Sequence, residues 1–218
     1  MIKLVKFDQP VVLIENEVRW TEELLAAIET GDKKVIGAKK KRYNHKDVKS
    51  RLKEETNGKC AYCESKVSHV AHGDIEHVTP KSVEPRRTFE WQNLTFACQI
   101  CNQNKSSLDG IIDPYNEEPS DSLEFWGHFL RGTNERGRYT RLMLELDRSD
   151  LIEQRALVLK RYADAVESIR NAANGKVREL LFMSLLMDVD QNQAEYIAML
   201  KKMLEPLRTE FIVSGRSH

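Results

Sequence analysis

Cys60-Ala-Tyr-Cys63, Asp74-Ile-Glu-His77 and Cys98-Gln-Ile-Cys101-Asn102 lie within residues 60–102, and their reading decides the fold. All four cysteines of the chain fall in the two Cys-x-x-Cys pairs, with residues 64–97 between them. Each short turn aims two sulfurs at one point, so two pairs supply four thiolates for a tetrahedral zinc ion at ~2.3 Å. A lone pair would read equally well as a redox centre. Two pairs with no cysteine left over favour structural zinc, Cys60, Cys63, Cys98 and Cys101 being its ligands. A unit of this size cannot build a sufficient apolar core, and a metal supplies the missing stability. Zinc held by four thiolates has no open coordination position, so chemistry must reside elsewhere.

A hydrolytic set is the second expectation. Asp74, Glu76 and His77 sit within four residues, and Asn102 arrives from the other cysteine pair. A hard cation such as Mg²⁺ or Mn²⁺ takes one or two oxygen ligands from protein and leaves the rest to water and phosphate. The Glu76 carboxylate and Asn102 amide oxygen suit it. His77, with a reference pKa of ~6.5, is placed to deprotonate an attacking water. The bland alternative for a single histidine is a packed side chain; the neighbouring carboxylates and Asn102 argue against it.

These residues also carry a resemblance. Cys60-Ala-Tyr-Cys-Glu64, Asp74-Ile-Glu-His-Val-Thr-Pro-Lys81, Trp91-Gln-Asn-Leu94 and Ala97-Cys-Gln-Ile-Cys-Asn-Gln-Asn-Lys105 resemble the zinc-stabilised HNH endonucleases. The resemblance implies a ββα-metal core in which Glu76 and Asn102 hold the catalytic ion and His77 is the general base. It implies that Asn93 braces the loop between the strands and that Lys105 contacts phosphate. Cleavage would leave 5′-phosphate and 3′-hydroxyl ends. Many relatives carry Asp before the histidine where this chain has Glu76, which leaves the division of labour between Asp74 and Glu76 open. Gly137-Arg-Tyr-Thr-Arg-Leu-Met-Leu-Glu-Leu-Asp147, with Leu151 and Arg155, resembles the tail of a subgroup found in Septu-type and retron-associated anti-phage systems. That likeness implies an ABC/SMC-like ATPase partner (PtuA type) on the C-terminal helical half. It also brings in a retron reverse transcriptase and its DNA product as candidate partners.

The fold class expected is α+β and mostly helical. A zinc-stabilised HNH core over 58–115 is flanked by an N-terminal segment, 1–57, and a C-terminal helical domain, 116–218. Hydrophobic content of 40% and charged content of 31% are those of an ordinary globular protein. Met1–Asp8 is too short and too charged for a signal peptide, and no apolar run approaches the ~20 residues of a membrane span. The cytoplasm, which keeps thiols reduced, is the expected compartment. Net charge is zero, yet residues 33–53 hold ten Lys/Arg against Asp47 alone. Within that block Lys39, Lys40, Lys41 and Arg42 are candidate nucleic-acid contacts; a solvated helix face is the plain alternative.

Local signals complete the expectation. Met1–Phe7 and Val11–Ile14 read as strands, Thr21 as the cap of a helix stopping at Gly31, and Asn44 as the cap of a helix entering Cys60. Residues 113–122 read as a linker, and Leu123–Gly132 and Tyr139–Leu146 have no secure type. Three helices follow. Asp150–Asn171 buries Ile152, Ala156, Leu159, Ala163 and Val166; Lys176–Met187 buries Val177, Leu180, Leu181 and Leu185; the third, capped by Asp190, buries Tyr196 to Leu207. The methionines read as core filler. His69 and His72 are minor metal candidates, Arg86 and Arg87 minor phosphate candidates. Trp91 and Phe96 read as core, and Trp126 and His128 have no role. A binding module without catalysis, a ribonuclease acting on structured RNA such as tRNA, and a protein-interaction subunit are the rival functions.

Overall fold

In the computed structural model, which describes residues 1–68 and 71–213, helices dominate and two short antiparallel hairpins supply the strands, as the α+β expectation requires. The chain divides into two compact units. One is Lys3–Pro119; the other joins Met1–Ile2 to the chain from Ser120 onward. No helix among the described residues is long and apolar enough to cross a membrane.

The first unit opens with α1 (Val11–Thr30), α2 (Lys33–Lys40) and α3 (Lys46–Glu55). Val11–Ile14 is the first turn of α1 and not a strand, and the helix starts ten residues before Thr21. Pro10 sets this start, because its fixed φ and missing N–H suit the edge of a helix. Leu13, Leu24 and Ala27 recur at helical spacing and are buried, while Val11, Ile14 and Val18 face solvent. Gly31 ends α1 in the left-handed region at φ 72°, as expected. Asp32 caps α2 by accepting from the Lys34 and Val35 amides. His45, and not Asn44, caps α3: its side chain accepts from the Asp47 amide. The helix then turns through Asn57 and Gly58, both at positive φ, directly into Cys60.

Residues 1–7 form no strand. Lys6 instead threads between the Trp91 and Tyr115 rings and binds Glu55 at 3.1 Å. Burial lowers its pKa to about 8, although Glu55 pulls the other way. Tyr115 donates to the same Glu55 carboxylate, and Thr95 pairs with the Tyr115 hydroxyl. These partners satisfy one another, so the polar cluster ties the N-terminal segment to the central hairpin at modest desolvation cost. That hairpin pairs β1 (Asp74–His77) with β2 (Leu94–Ala97), Asp74 opposite Ala97 and His77 opposite Leu94. α4 (Gln99–Lys105) follows, completing a ββα unit. Residues 113–122 straddle the division between units, and Tyr115 is buried in the first.

In the second unit the untyped stretches resolve into a hairpin, β3 (Leu123–Trp126) with β4 (Phe129–Gly132), and α5 (Glu135–Met143). α6 (Ser149–Arg170) buries Leu151, Arg155, Val158, Val166 and Ile169, so the expected stripe is displaced and only Val166 of it is fully buried. Arg155 is the reason: its guanidinium donates to the Leu146 carbonyl at 2.6 Å and lies over Phe125 and Tyr196. α7 (Gly175–Asp190) turns the expected face outward. Phe182, Leu186 and Val189 are buried, whereas Val177, Leu180 and Leu181 are exposed. Asp190 is the last residue of α7 and caps nothing; α8 (Ile197–Arg208) begins after Tyr196 at φ 54°. Met199 is core, but Met183 and Met187 are exposed.

Two glycines set opposite expectations for stability. A Cβ on Gly137 would stand 1.8 Å from the Ser122 carbonyl oxygen, whereas one on Gly37, inside α2, meets nothing within 4 Å. Gly137→Ala is expected to cost about 3 kcal/mol, and Gly37→Ala to add about 0.5–1 kcal/mol. Urea or thermal unfolding checks both signs.

Candidate active site and metal centre

Two turns bring the four cysteines together. After Cys60 the chain reverses through Glu64 at φ 65°, with the Glu64 amide bonded to the Cys60 carbonyl and the Cys60 amide to the Ser65 carbonyl. The Ala61 amide bonds to the Phe96 carbonyl, so this turn is fastened to β2. The second pair straddles the start of α4, where the Cys98 sulfur caps the helix by accepting from the Cys101 amide. The four sulfurs all lie within 4.8 Å of one another, and Cys63 and Cys98 are 3.9 Å apart. None is in a disulfide. Among the described residues this is the only group of three or more His, Cys, Asp or Glu so gathered, and it could hold one metal ion. Thiols donating from the neighbouring cysteines, Cys101 first, hold Cys63 and Cys98 below the usual thiol range, while burial pushes Cys60 up. His69 lies outside the described residues, and His72 is exposed.

His77 ends β1 and is 2% exposed. Its Nε2 is 2.9 Å from the Thr88 carbonyl oxygen, which can only accept, so Nε2 carries the proton and Nδ1 keeps the lone pair. Asn93 fixes the residue before Thr88. The Asn93 amide is fully buried; its Nδ2 donates to the Thr79 and Arg87 carbonyls and its Oδ1 accepts from the Thr79 amide. One side chain thus closes the loop between the strands and holds it one residue before the carbonyl that orients the histidine. On the other side, Lys81 Nζ lies 3.1 Å from Nδ1 and 3.2 Å from the Tyr43 hydroxyl, and the Tyr43 ring packs edge-on to the imidazole. Burial lowers the His77 pKa to about 3, with Lys81 and Lys105 adding to the shift.

The strand pleat sends Asp74 and Glu76 to one face of β1 and His77 to the other. On the first face Asn102 Nδ2 donates to Asp74 Oδ2 at 2.9 Å, which leaves the Asn102 oxygen as an acceptor. Glu76 is 3.1 Å from Lys105 Nζ, and Lys105 also donates to the His77 carbonyl. Burial raises the Glu76 pKa against the pull of Lys105. Lys105, which the resemblance makes a phosphate contact, is fully buried, with its ammonium on Glu76 and the His77 carbonyl. Three oxygen-bearing side chains, Asp74, Glu76 and Asn102, are the donor type a hard divalent ion takes. Nearby, the buried Tyr62 hydroxyl has no hydrogen-bond partner, and the Glu76 charge is among the groups that keep it protonated.

The basic block is partly spoken for. Lys39 and Arg42 both bind the Glu23 carboxylate, at 2.8 and 2.7 Å, while Lys41 is exposed and Lys40 half-buried. Arg87 is committed to Glu90 and the Thr79 hydroxyl; Arg86 is exposed. Trp91 and Phe96 are core as expected, and His128 packs on Phe129 beside an exposed Trp126. Sequence reasoning missed Tyr43, Lys81 and Thr88. Lys81 stands four residues after His77, and Tyr43 is the one aromatic residue within the basic block, the two signals that pointed to them.

Residues 60–108 match the model of the HNH endonuclease family. The chain is also similar to two proteins named Septu protein PtuB. One, from Bacillus thuringiensis, is 31% identical over 179 residues, covering 79% of this chain and 65% of the relative. The other, from Bacillus mycoides (strain KBAB4), is 28% identical over 200 residues, covering 73% of this chain and 68% of the relative. The chain thus spans about two thirds of the length of the curated relatives it matches.

The buried histidine makes stability depend on pH. The unfolded chain takes up a proton on residue 77 below pH ~6.5, whereas the folded chain resists until about pH 3. Stability is therefore lost as pH falls through 6.5, by roughly 2 kcal/mol between pH 7 and pH 5 from this group alone. His77→Gln, which keeps a donor for Thr88 but cannot titrate, should lose that much less over the same interval in urea unfolding.

Proposed function

We propose that the HNH domain at residues 60–108 hydrolyses phosphodiester bonds in nucleic acid, DNA in preference to RNA, as the effector of an anti-phage defence system. One observation carries this reading: the Thr88 carbonyl holds the His77 Nε2 proton, so the only basic nitrogen of a neutral, buried imidazole sits at the end of a strand lined by Asp74, Glu76 and Asn102. His77 accepts a proton from water through Nδ1 as the water oxygen bonds to phosphorus and the bond to the 3′ oxygen breaks. Glu76 and Asn102, with Asp74, would hold Mg²⁺ or Mn²⁺, which when bound neutralises charge on the phosphate and the departing oxygen. Lys105 keeps the Glu76 carboxylate ionised, and Asn93 holds the loop that orients the base. The exposed Lys41, with the outer edges of Lys39, Lys40 and Arg42, tracks the phosphate backbone.

The cysteine cluster is a structural zinc site in this reading. A tetrahedron with ~2.3 Å metal–sulfur bonds has sulfurs ~3.8 Å apart, and the Cys63–Cys98 separation of 3.9 Å supports it. Reduced, metal-bound thiols suit the cytoplasm. The partner is an ABC/SMC-like ATPase of the PtuA type. The outward apolar face of α7, Val177, Leu180, Leu181, Met183 and Met187, supports docking through the helical half, because such a row is costly to leave in water.

Plasmid DNA and tRNA, assayed side by side with Mg²⁺ or Mn²⁺ and with or without the ATPase, test the reading. The wild-type chain is expected to cut, and His77→Ala to lose at least about 100-fold in rate while retaining zinc and binding. Leu181→Glu should weaken the complex with the ATPase and leave the fold intact. No cleavage by wild type in any combination would leave a binding module, and cutting of tRNA alone would make it a ribonuclease.

A further inference from the structure

We propose that Lys81, steadied by Tyr43, is the side chain that receives the scissile phosphate. The inference rests on the nuclease reading above and adds a residue that the HNH resemblance did not assign. Its basis is how Lys81 is held. The ammonium makes two contacts, with His77 Nδ1 at 3.1 Å and the Tyr43 hydroxyl at 3.2 Å, and it lies 4.5 Å from the centre of the Tyr43 ring. Three N–H donors thus meet two neutral acceptors, and one donor remains.

No carboxylate pairs with Lys81 among the described residues, whereas several other cations of the same unit are matched. Lys105 has Glu76, Arg87 has Glu90, and Lys39 and Arg42 share Glu23. A half-buried ammonium whose two direct partners are neutral, the Glu76 charge acting on it only at longer range, is an arrangement that a directly bound anion improves. Its location selects the anion. Lys81 Nζ lies on the single lone pair of the imidazole, so an oxyanion bound to it stands beside any water that replaces it at Nδ1.

The same contact has a second consequence. In the free protein Lys81 occupies the nitrogen that must take the proton of water. An arriving phosphodiester draws the ammonium onto its non-bridging oxygens, vacates Nδ1, and admits the water between ring and phosphorus. The Tyr43 hydroxyl and ring keep the displaced ammonium within reach, by hydrogen bond and by cation–π attraction. Substrate and base are thereby coupled: the imidazole is released where a phosphate is present. As negative charge grows on the phosphate oxygens in the transition state, Lys81 stabilises it from a fixed position. A purely structural lysine would make the same two contacts, but would leave the rate unchanged whenever the fold survives its replacement.

Lys81→Met, Lys81→Arg and Tyr43→Phe, beside wild type and His77→Ala, separate the cases in single-turnover cleavage with Mg²⁺ or Mn²⁺. Zinc content, thermal midpoint and substrate affinity by fluorescence anisotropy are measured on the same preparations. Lys81→Met should keep zinc and thermal midpoint, bind within about threefold of wild type, and cut about 100-fold more slowly. Lys81→Arg should recover at least about tenfold of that loss, since guanidinium also binds phosphate. Tyr43→Phe should fall several-fold. A Lys81→Met rate within about threefold of wild type, beside an inactive His77→Ala, would overturn the inference and leave the nuclease reading standing. Loss of zinc or of the folded state in both Lys81 variants would overturn it as well, assigning Lys81 to the scaffold. A wild-type chain that cuts neither polymer, with or without the ATPase, would instead remove the nuclease reading and this inference with it.

Discussion

Four sulfurs gathered within 4.8 Å are the constraint on which the ββα unit depends. β1 and β2 are four residues each, too short to hold a register on hairpin hydrogen bonds alone. The cysteine turns act at the points where this hairpin would fray. Cys60–Cys63 is bonded to β2 through Ala61 and Phe96, and Cys98 is at once the residue after β2 and the cap of α4. Fixing those turns fixes where α4 lies along β1. The Asn102–Asp74 and Lys105–Glu76 contacts follow from that placement. An ion bound by the four sulfurs would act on Asp74, Glu76, His77 and Asn102 only through this geometry, because a four-thiolate ion offers no coordination position to substrate.

Around the clamp, several buried polar groups satisfy one another. Lys105 is fully buried with Glu76, Asn93 satisfies three backbone groups, and Glu55 receives Lys6, Tyr115 and the Phe7 amide. Pairs of this kind add little net stability and are strongly destabilising when one partner is removed. They suit a unit that must hold a few side chains in one arrangement. The histidine is the exception in sign: it is held neutral by burial, oriented by a carbonyl, and faced by an ammonium. This leaves one nitrogen whose availability depends on where the Lys81 charge sits.

The ββα site was largely legible because its signals are chemical: cysteine pairs, an acidic-histidine run and an asparagine at fixed separation. His77 and Asn102 were singled out from those letters and their spacing, and Asn93 from the resemblance to the HNH endonucleases. What was not legible depends on which face a side chain takes. Val11–Ile14 is a short apolar run, which periodicity cannot assign between strand and helix. α7 is apolar nearly all round, so nothing in its spacing separates Phe182, Leu186 and Val189, which are buried, from Leu180 and Leu181, which are not. In α6 the buried row includes Arg155, a residue no hydropathy pattern places inside. The burial of Lys105 was not legible for the same reason: it depends on Glu76, a partner 29 positions earlier.

The claim that one ion joins Cys60, Cys63, Cys98 and Cys101 is tested most directly by metal analysis with X-ray absorption on the purified chain. The account predicts one zinc per chain, bound by four sulfurs at ~2.3 Å. A chain without stoichiometric metal, a first shell containing nitrogen or oxygen, or disulfides between these cysteines would contradict it.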